Sequence, residues 1–463
     1  MLVISSKINL KYAVLVFIFG VNLGVVQVYA SEPALGKTAL ALEDAVSYAL
    51  AHDPWIEGSL HAQDAVEAMS VAVAQLPDPK VSVGYANIPT DTFDFDQERM
   101  TQFKVGISQM FPRGDTLGLS NRQLQITAHQ YPYLRLDRNA QVTVTVSALW
   151  LDAYKAQQTI FLVEQSKVLF EQLLDISQAN YTSAIGRTRQ QDMIRAQLEL
   201  TRLDDRLTVF YQNREIALKK LSEWLGQSGS TTGVVPVLPD LQLSRPGFFS
   251  NLQSRDLQPV ADLLMQHPAI QVLEKKITAS AVEIELAKQK YKPEWGVNAS
   301  YGYRDDDPMG NDRADLLSVG VTFDLPIFTA NRQDQQVKAA VSRSEAVKTD
   351  KSLRLRQMMA NLESAQVQLM RLDERQKLYR LQLLPQMQEL AEASLTAYTN
   401  DDGDFAEVAR ARIAQLNAQI DALNIEVDRQ KLIVQLNYFF VDEDHSLDSM
   451  LLDSAPSFSG ETR

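Results

Sequence analysis

The 463-residue chain contains no cysteine. That excludes a disulfide framework, a thiolate zinc or iron–sulfur centre, a cysteine nucleophile and an acylated N-terminal cysteine. Basic charge is also short. Lys and Arg number 45 against 58 Asp and Glu, a formal charge of −13. That sign does not neutralise phosphates, so nucleic acid is not an expected partner. Beyond the first thirty residues no apolar run reaches the roughly 20 residues that a spanning helix needs. The mean hydropathy, −0.19, argues against a polytopic helical membrane protein. It leaves open a β-barrel, whose strands hide every second residue from a hydropathy window. Histidine is sparse as well: His52, His61, His129, His267 and His445 include no two at metal-ligand spacing. With no Gly-rich phosphate loop and no catalytic triad arrangement, the expectation is a non-enzyme without cofactor or metal site.

What is present begins with a sorting signal. Lys7 and Lys11 precede an apolar run from Ala13 to Phe19, and Val28-Tyr29-Ala30 fits signal-peptidase cleavage after Ala30. Residues 1–30 are read as a signal peptide that sends the chain out of the cytoplasm.

Glycine and proline are nearly missing from two long stretches. Residues 119–225 hold only Gly186 and Pro132; residues 327–459 hold only Gly403, Pro385 and Pro456. Both stretches are rich in Leu, Ala, Gln, Glu and Arg and keep a three/four apolar rhythm, so they read as very long helices. A helix over 119–185 would be about 100 Å long, which implies a coiled-coil column. Val142–Val146 is locally strand-like, but the helical pattern continues on both sides. Pro385 should kink or interrupt its helix.

The chain is written twice. Pro54 and Pro268 lie 214 residues apart, as do Pro79 and Pro293, Gly106 and Gly320, and Pro112 and Pro326. Tyr181…Gly186 returns as Tyr398…Gly403 at an offset of 217. The expected domains are therefore a first repeat (31–226), a Gly/Ser/Pro-rich linker or small irregular equatorial segment (227–258), a second repeat (259–440) and an acidic disordered tail (441–463). Each repeat carries a strand pair ahead of its helices, within 80–110 and 295–325. Val81, Val83 and Tyr85, then Val105 and Ile107, alternate with small or polar residues. Val297 and Tyr301, then Val319, Val321 and Phe323, do the same. These ten are the expected lipid-facing residues. Four strands cannot close a barrel, and lipid does not tolerate open strand edges, so a membrane sheet of this kind requires several copies of the chain.

Leu42-Glu43-Asp44-Ala45 followed by Asp53-Pro54, then Leu76-Pro77-Asp78-Pro79 leading into a strand, resembles the TolC-type outer-membrane efflux proteins. So do Leu384-Pro385-Gln386 followed by Tyr398…Gly403 and Val408, and the duplicated order of strand pair and helical hairpin. The resemblance covers nearly all of the mature sequence. Met110-Phe111-Pro112-Arg113-Gly114-Asp115 resembles members that serve heavy-metal pumps, although this chain lacks the acylated cysteine of some metal-exporting relatives.

The resemblance implies an α+β membrane protein: a homotrimer whose chains each give four strands to a twelve-stranded barrel in outer-membrane lipid. A long periplasmic α-helical coiled-coil barrel would continue it. Partners would be a periplasmic adaptor (membrane fusion) protein and an inner-membrane resistance–nodulation–division pump. The implied role is an exit duct, with heavy-metal cations as favoured cargo and drug efflux or type I protein secretion as alternatives. A periplasmic coiled-coil adaptor or scaffold is the reading of another class. Family members close the tunnel with charges near the hairpin turns. That points to Gly186, Arg187, Arg189 and Asp192 in the first repeat, and to Asp401, Asp402, Gly403, Asp404 and Glu407 in the second, with Arg410 and Arg412 one turn on. Asp192 lies six residues after its glycine, as in the family. The strict second-repeat equivalent is Ala409, and a two-residue gap brings Glu407 into line.

Overall fold

The computed structural model describes residues 39–182, 190–226, 233–245, 258–400 and 403–441. The signal peptide, Gly186, Arg187, Arg189, Asp401, Asp402 and the acidic tail lie outside them.

The first repeat runs α1 (Leu42–Ala51), α2 (Pro54–Val73), β1 (Lys80–Ala86), β2 (Gln102–Phe111), α3 (Thr116–Ala128), α4 (Tyr131–Thr182) and α5 (Gln190–Leu225). The second runs α6 (Gln258–Gln266), α7 (Pro268–Gln289), β3 (Trp295–Tyr303), β4 (Leu316–Phe323), α8 (Gln333–Leu378), a π-helical turn (Tyr379–Leu383), α9 (Leu384–Thr399) and α10 (Phe405–Tyr438). The same order of helix pair, strand pair and long helices appears twice.

One expectation needs correction. The helix over 119–185 is two helices, α3 and α4, separated by His129 and Gln130. Pro132 explains the break. Its ring would collide with the carbonyl four residues back, whereas in the first turn of a new helix its missing N–H costs nothing. Val142–Val146 is helical within α4. Its threonines turn their hydroxyls back onto the helix, Thr143 donating to the Asn139 carbonyl (3.0 Å) and Thr145 to the Gln141 carbonyl (2.8 Å). Pro385 follows directly on the π turn. The widened turn moves the carbonyls ahead of the proline out of its way, so the rod from Gln333 to Thr399 stays helical and spans about 100 Å.

Three buried clusters hold the helices together. One joins α1, α4, α5 and α10 around Trp150, Leu221, Leu225 and Val427. A second joins α4, α5, α9 and α10 around Phe170, Phe405, Val408 and Leu416. The third joins α6, α7, α8 and α10 around Leu264, Ile270, Met358 and Leu436. Residues 233–245, expected as linker, lie strapped to the helices. Gln157 binds both the Val234 carbonyl (3.0 Å) and its N–H (3.2 Å), Gln430 accepts from the Leu241 N–H (3.1 Å), and Asn437 accepts from the Ser244 N–H (2.9 Å). Leu40 pairs with Val234 in parallel, and its carbonyl takes the Trp150 indole N–H at 2.9 Å.

The two repeats differ at one matched helix cap. Asp53 caps α2, accepting from the Trp55 N–H at 3.1 Å, and pairs with Arg138 at 2.7 Å. Burial works to raise the Asp53 pKa, but the Arg138 hydrogen bond and charge and the Trp55 N–H outweigh it and hold the pKa below the ordinary value. In the second repeat His267 caps α7. Its Nδ1 accepts from the Ala269 N–H (3.2 Å), so Nε2 carries the proton and donates to the Tyr438 carbonyl (2.9 Å). Tyr438 in turn donates to Asp137 (2.8 Å). Burial lowers the His267 pKa and Arg354 adds to it, against the Tyr438 carbonyl and Asp137.

Both His267 nitrogens are thus used in the neutral form. The unfolded chain takes up a proton at this site below about pH 6.5, while the folded chain resists it. Stability is therefore full above that pH and declines as pH falls through it towards the lower folded-state pKa. His267→Asn keeps a capping oxygen and removes the titration. Between about pH 6.5 and 5 the decline of Tm should flatten, at a cost of about 1 kcal/mol at neutral pH for the lost bond to Tyr438. An unchanged Tm–pH slope would assign the acid sensitivity elsewhere.

Candidate functional site

The four strands form one antiparallel sheet in the order β1-β2-β3-β4, so β2 and β3 join the two repeats. Tyr85 stands opposite Phe103 and Phe103 opposite Tyr303; at the other end Phe111 stands opposite Trp295 and Trp295 opposite Phe323. Because side chains alternate faces, this register puts all ten expected lipid-facing residues on one side. Each is exposed, from 40% for Val105 to 71% for Val319. The same face adds Phe103, Tyr303, Trp295 and Leu317, and it carries no charge. Its two ends are aromatic. Tyr85 meets Phe103 edge-on at 5.2 Å, and Trp295 lies 5.0 Å from Phe323. From Trp295 to Tyr303 the strand covers about 26 Å at ~3.3 Å per residue, comparable to the roughly 25 Å apolar band of an outer-membrane barrel wall, before tilt.

The opposite face is mostly small and polar (Ser82, Gly84, Gly106, Ser108, Gly296, Asn298, Ser300, Gly302, Ser318, Gly320 and Thr322), with the longer Lys80, Gln102, Lys104, Met110 and Leu316 among them. A Cβ on Gly106 would lie 2.8 Å from Ser82 Oγ and one on Gly320 2.9 Å from Asn298 Oδ1, whereas one on Gly84, at the β1 edge, would meet nothing within 4 Å.

Beyond β1 and β3 the acidic loops are tied to one another. Arg304 donates to the Arg99 carbonyl (3.1 Å) and Arg313 to the Asp96 carbonyl (3.1 Å). At the other end Arg113 is the junction residue. It pairs with Asp324 and donates to the Lys290 and Lys292 carbonyls (3.3 and 3.2 Å), holding the ends of β2, α7 and β4 in one place. Gly114 follows at φ +50°, and its own Cβ would strike Gln289 and Lys292. Nothing in its spacing announced Arg113, because its partners lie 177–211 residues away.

The second-repeat hairpin tip turns between α9 and α10. Asp404 caps α10, accepting from the Ala406 N–H at 3.3 Å, and Tyr398 meets Phe405 edge-on at 5.9 Å beneath the turn. Glu407 is exposed in the first turn of α10, while Ala409 is buried. Arg410 and Arg412 are spent on their own helix, on the Ala406 carbonyl (3.0 Å) and on Gln415 (3.0 Å). Asp192 is buried in the first turn of α5, with Arg195 one turn on at 3.8 Å.

No family model matches the chain, and no curated protein matches it in sequence. Solved structures do match. CusC, studied for folding and transmembrane channel formation, superposes with a TM-score of 0.70 at 14% identity, over 87% of this chain and 92% of that one. The Campylobacter jejuni CmeC outer membrane channel gives 0.70 at 14% identity, over 88% and 87%. The outer membrane protein VceC of Vibrio cholerae gives 0.70 at 12% identity, over 87% and 96%. The chain has the fold of these channels. The rod from Gln333 to Thr399 separates the end of β4 from the second-repeat tip by about 100 Å.

Gly403 is required at its tip by close approach: an added Cβ would lie 2.7 Å from the Tyr398 nitrogen and 3.0 Å from the Ala397 carbonyl carbon. Backbone cannot swing aside as a flexible side chain can. Gly403→Ala should cost about 1–3 kcal/mol. Gly58→Ala, in the second turn of α2 with nothing within 4 Å, should instead stabilise by up to about 1 kcal/mol. Thermal unfolding of the pair checks the contrast; equal effects would remove the tip constraint.

Proposed function

We propose that the chain is the outer-membrane exit duct of a tripartite efflux system, conducting solutes passively and catalysing nothing. One observation carries this most directly: a sheet whose uncharged, aromatic-ended face is exposed and whose opposite face is polar and rich in glycine. A soluble sheet would pack its apolar face on a core. This one packs against nothing described in the chain, which is also why a periplasmic adaptor or scaffold fits less well.

The open edges of β1 and β4 call for further copies, and a homotrimer gives twelve strands. Exposed apolar stripes on the helices support the same assembly. Ile194, Leu198, Val209 and Ile216 follow one another along α5 at intervals of 4, 11 and 7. Leu353, Val367 and Leu381 recur every 14 residues along the long rod. Both series keep one face of a coiled coil. In this assembly the tips around Asp192, Gly403, Asp404 and Glu407 form the periplasmic end that meets an adaptor and an inner-membrane pump. Met110–Asp115 suggest heavy-metal cations as cargo, with drugs or secreted proteins as alternatives. In the fold those six residues make the strand-to-helix junction, a task common to any cargo.

The test is made in the outer membrane. The unheated protein should migrate as a trimer that collapses on boiling. Val319→Arg and Val321→Arg should each cost about 2–4 kcal/mol if the strand lies at mid-membrane, seen as a lower dissociation temperature. Ser318→Arg, on the polar face, should change it little. Valine variants that are near neutral, or a monomer in the soluble periplasm, would sink the duct.

A further inference from the structure

The strands contain just two charged residues, Lys80 and Lys104, and both lie on the polar, glycine-rich face. No acid lies on either face of the sheet. In a chain with 13 more acidic than basic residues, a wall charged with cations alone runs against the composition. Lys104 stands opposite Gly84 on one side and Gly302 on the other. Neither neighbour has a side chain to cover it. It is exposed, and among the described residues no carboxylate pairs with it. The acids of this end sit outside the strands, in loops 87–101 and 304–315. There Asp91 is held by Gln97 and the Thr92 N–H (3.0 Å), and Asp307 by Asn311 (2.8 Å). Lys80 lies nearer the other end, on edge strand β1 opposite Ser108.

We propose that Lys104 is a selectivity-determining residue of the barrel lumen, with Lys80 as a second tier. Their charge favours anionic solutes and disfavours multivalent cations. The inference rests on the duct reading, in which the polar face lines the pore. Threefold repetition then places three Lys104 ammonium groups at one level of a narrow, low-dielectric wall, with no counter-charge beside them. Such rings attract anions and focus field into the lumen. The preferred cargo class is therefore a neutral or anionic solute, which favours the drug alternative over the heavy-metal cations that Met110–Asp115 suggest.

The cysteine-free chain allows a direct test. In outer-membrane vesicles, a single thiol at Ser300→Cys, on the polar face and diagonal to Lys104, is reacted with a sulfonate-bearing (anionic) and a trimethylammonium-bearing (cationic) methanethiosulfonate at low salt. With Lys104 present, the anionic-to-cationic rate ratio, normalised to a free thiol, should exceed one. Lys104→Gln should lower it by about three-fold or more and Lys104→Glu should invert it, while Lys104→Arg should leave it in place. A ratio below one with Lys104 present, or unmoved by Lys104→Gln in a protein that still migrates as a trimer, overturns the proposal. Val105→Cys separates this from the reading beneath it. If it reacts as fast as Ser300→Cys, both faces are wet and the duct itself fails, whatever Lys104 does.

Discussion

Unpaired backbone is the constraint on which the rest of this structure depends. Four strands satisfy each other's N–H and C=O groups in the order β1-β2-β3-β4 and leave two edges. Water could solvate those edges; in the proposed duct the uncharged aromatic face beside them meets lipid, which cannot. On that reading, a sheet with this face and these edges is a fragment of a closed wall. The proposed trimer is the closure that needs the fewest additional parts.

The helices hold that sheet at a set angle, and in the proposed duct they carry its lumen onward. Arg113 gathers the ends of β2, α7 and β4, so the strands leave the helices at a set direction. The rod from Gln333 to Thr399 passes Pro385 without breaking because a π turn absorbs it. The first repeat meets its own proline by stopping and restarting at His129 and Gln130. The two halves accommodate their prolines differently while keeping the same order of elements.

Much of this was legible before any coordinates. Spacing marked the duplication, glycine scarcity marked the long helices, and period-two alternation marked the strands and their apolar face. The ten residues expected on that face all lie on it. The tips were legible only as places. Gly403 and Asp404 have backbone tasks, as turn and cap. Asp192 is buried, and Arg410 and Arg412 bind their own helix. Which charges face a neighbouring hairpin depends on side-chain direction, and spacing does not carry that.

The sequence by itself determined the repeat, the element types and the two faces of each strand, because these follow from local periodicity and from the few residues that break it. Only the tertiary structure decided which strands are neighbours, that residues 233–245 are strapped to the helices, and that Arg113 meets Asp324 across 211 positions. It also placed Lys104 between two glycines, and gave the second repeat a neutral histidine facing Arg354 where the first has an aspartate on Arg138. Those outcomes depend on contacts between residues far apart in the chain. Their energies come from burial and charge in the assembled fold, which no window along the sequence contains.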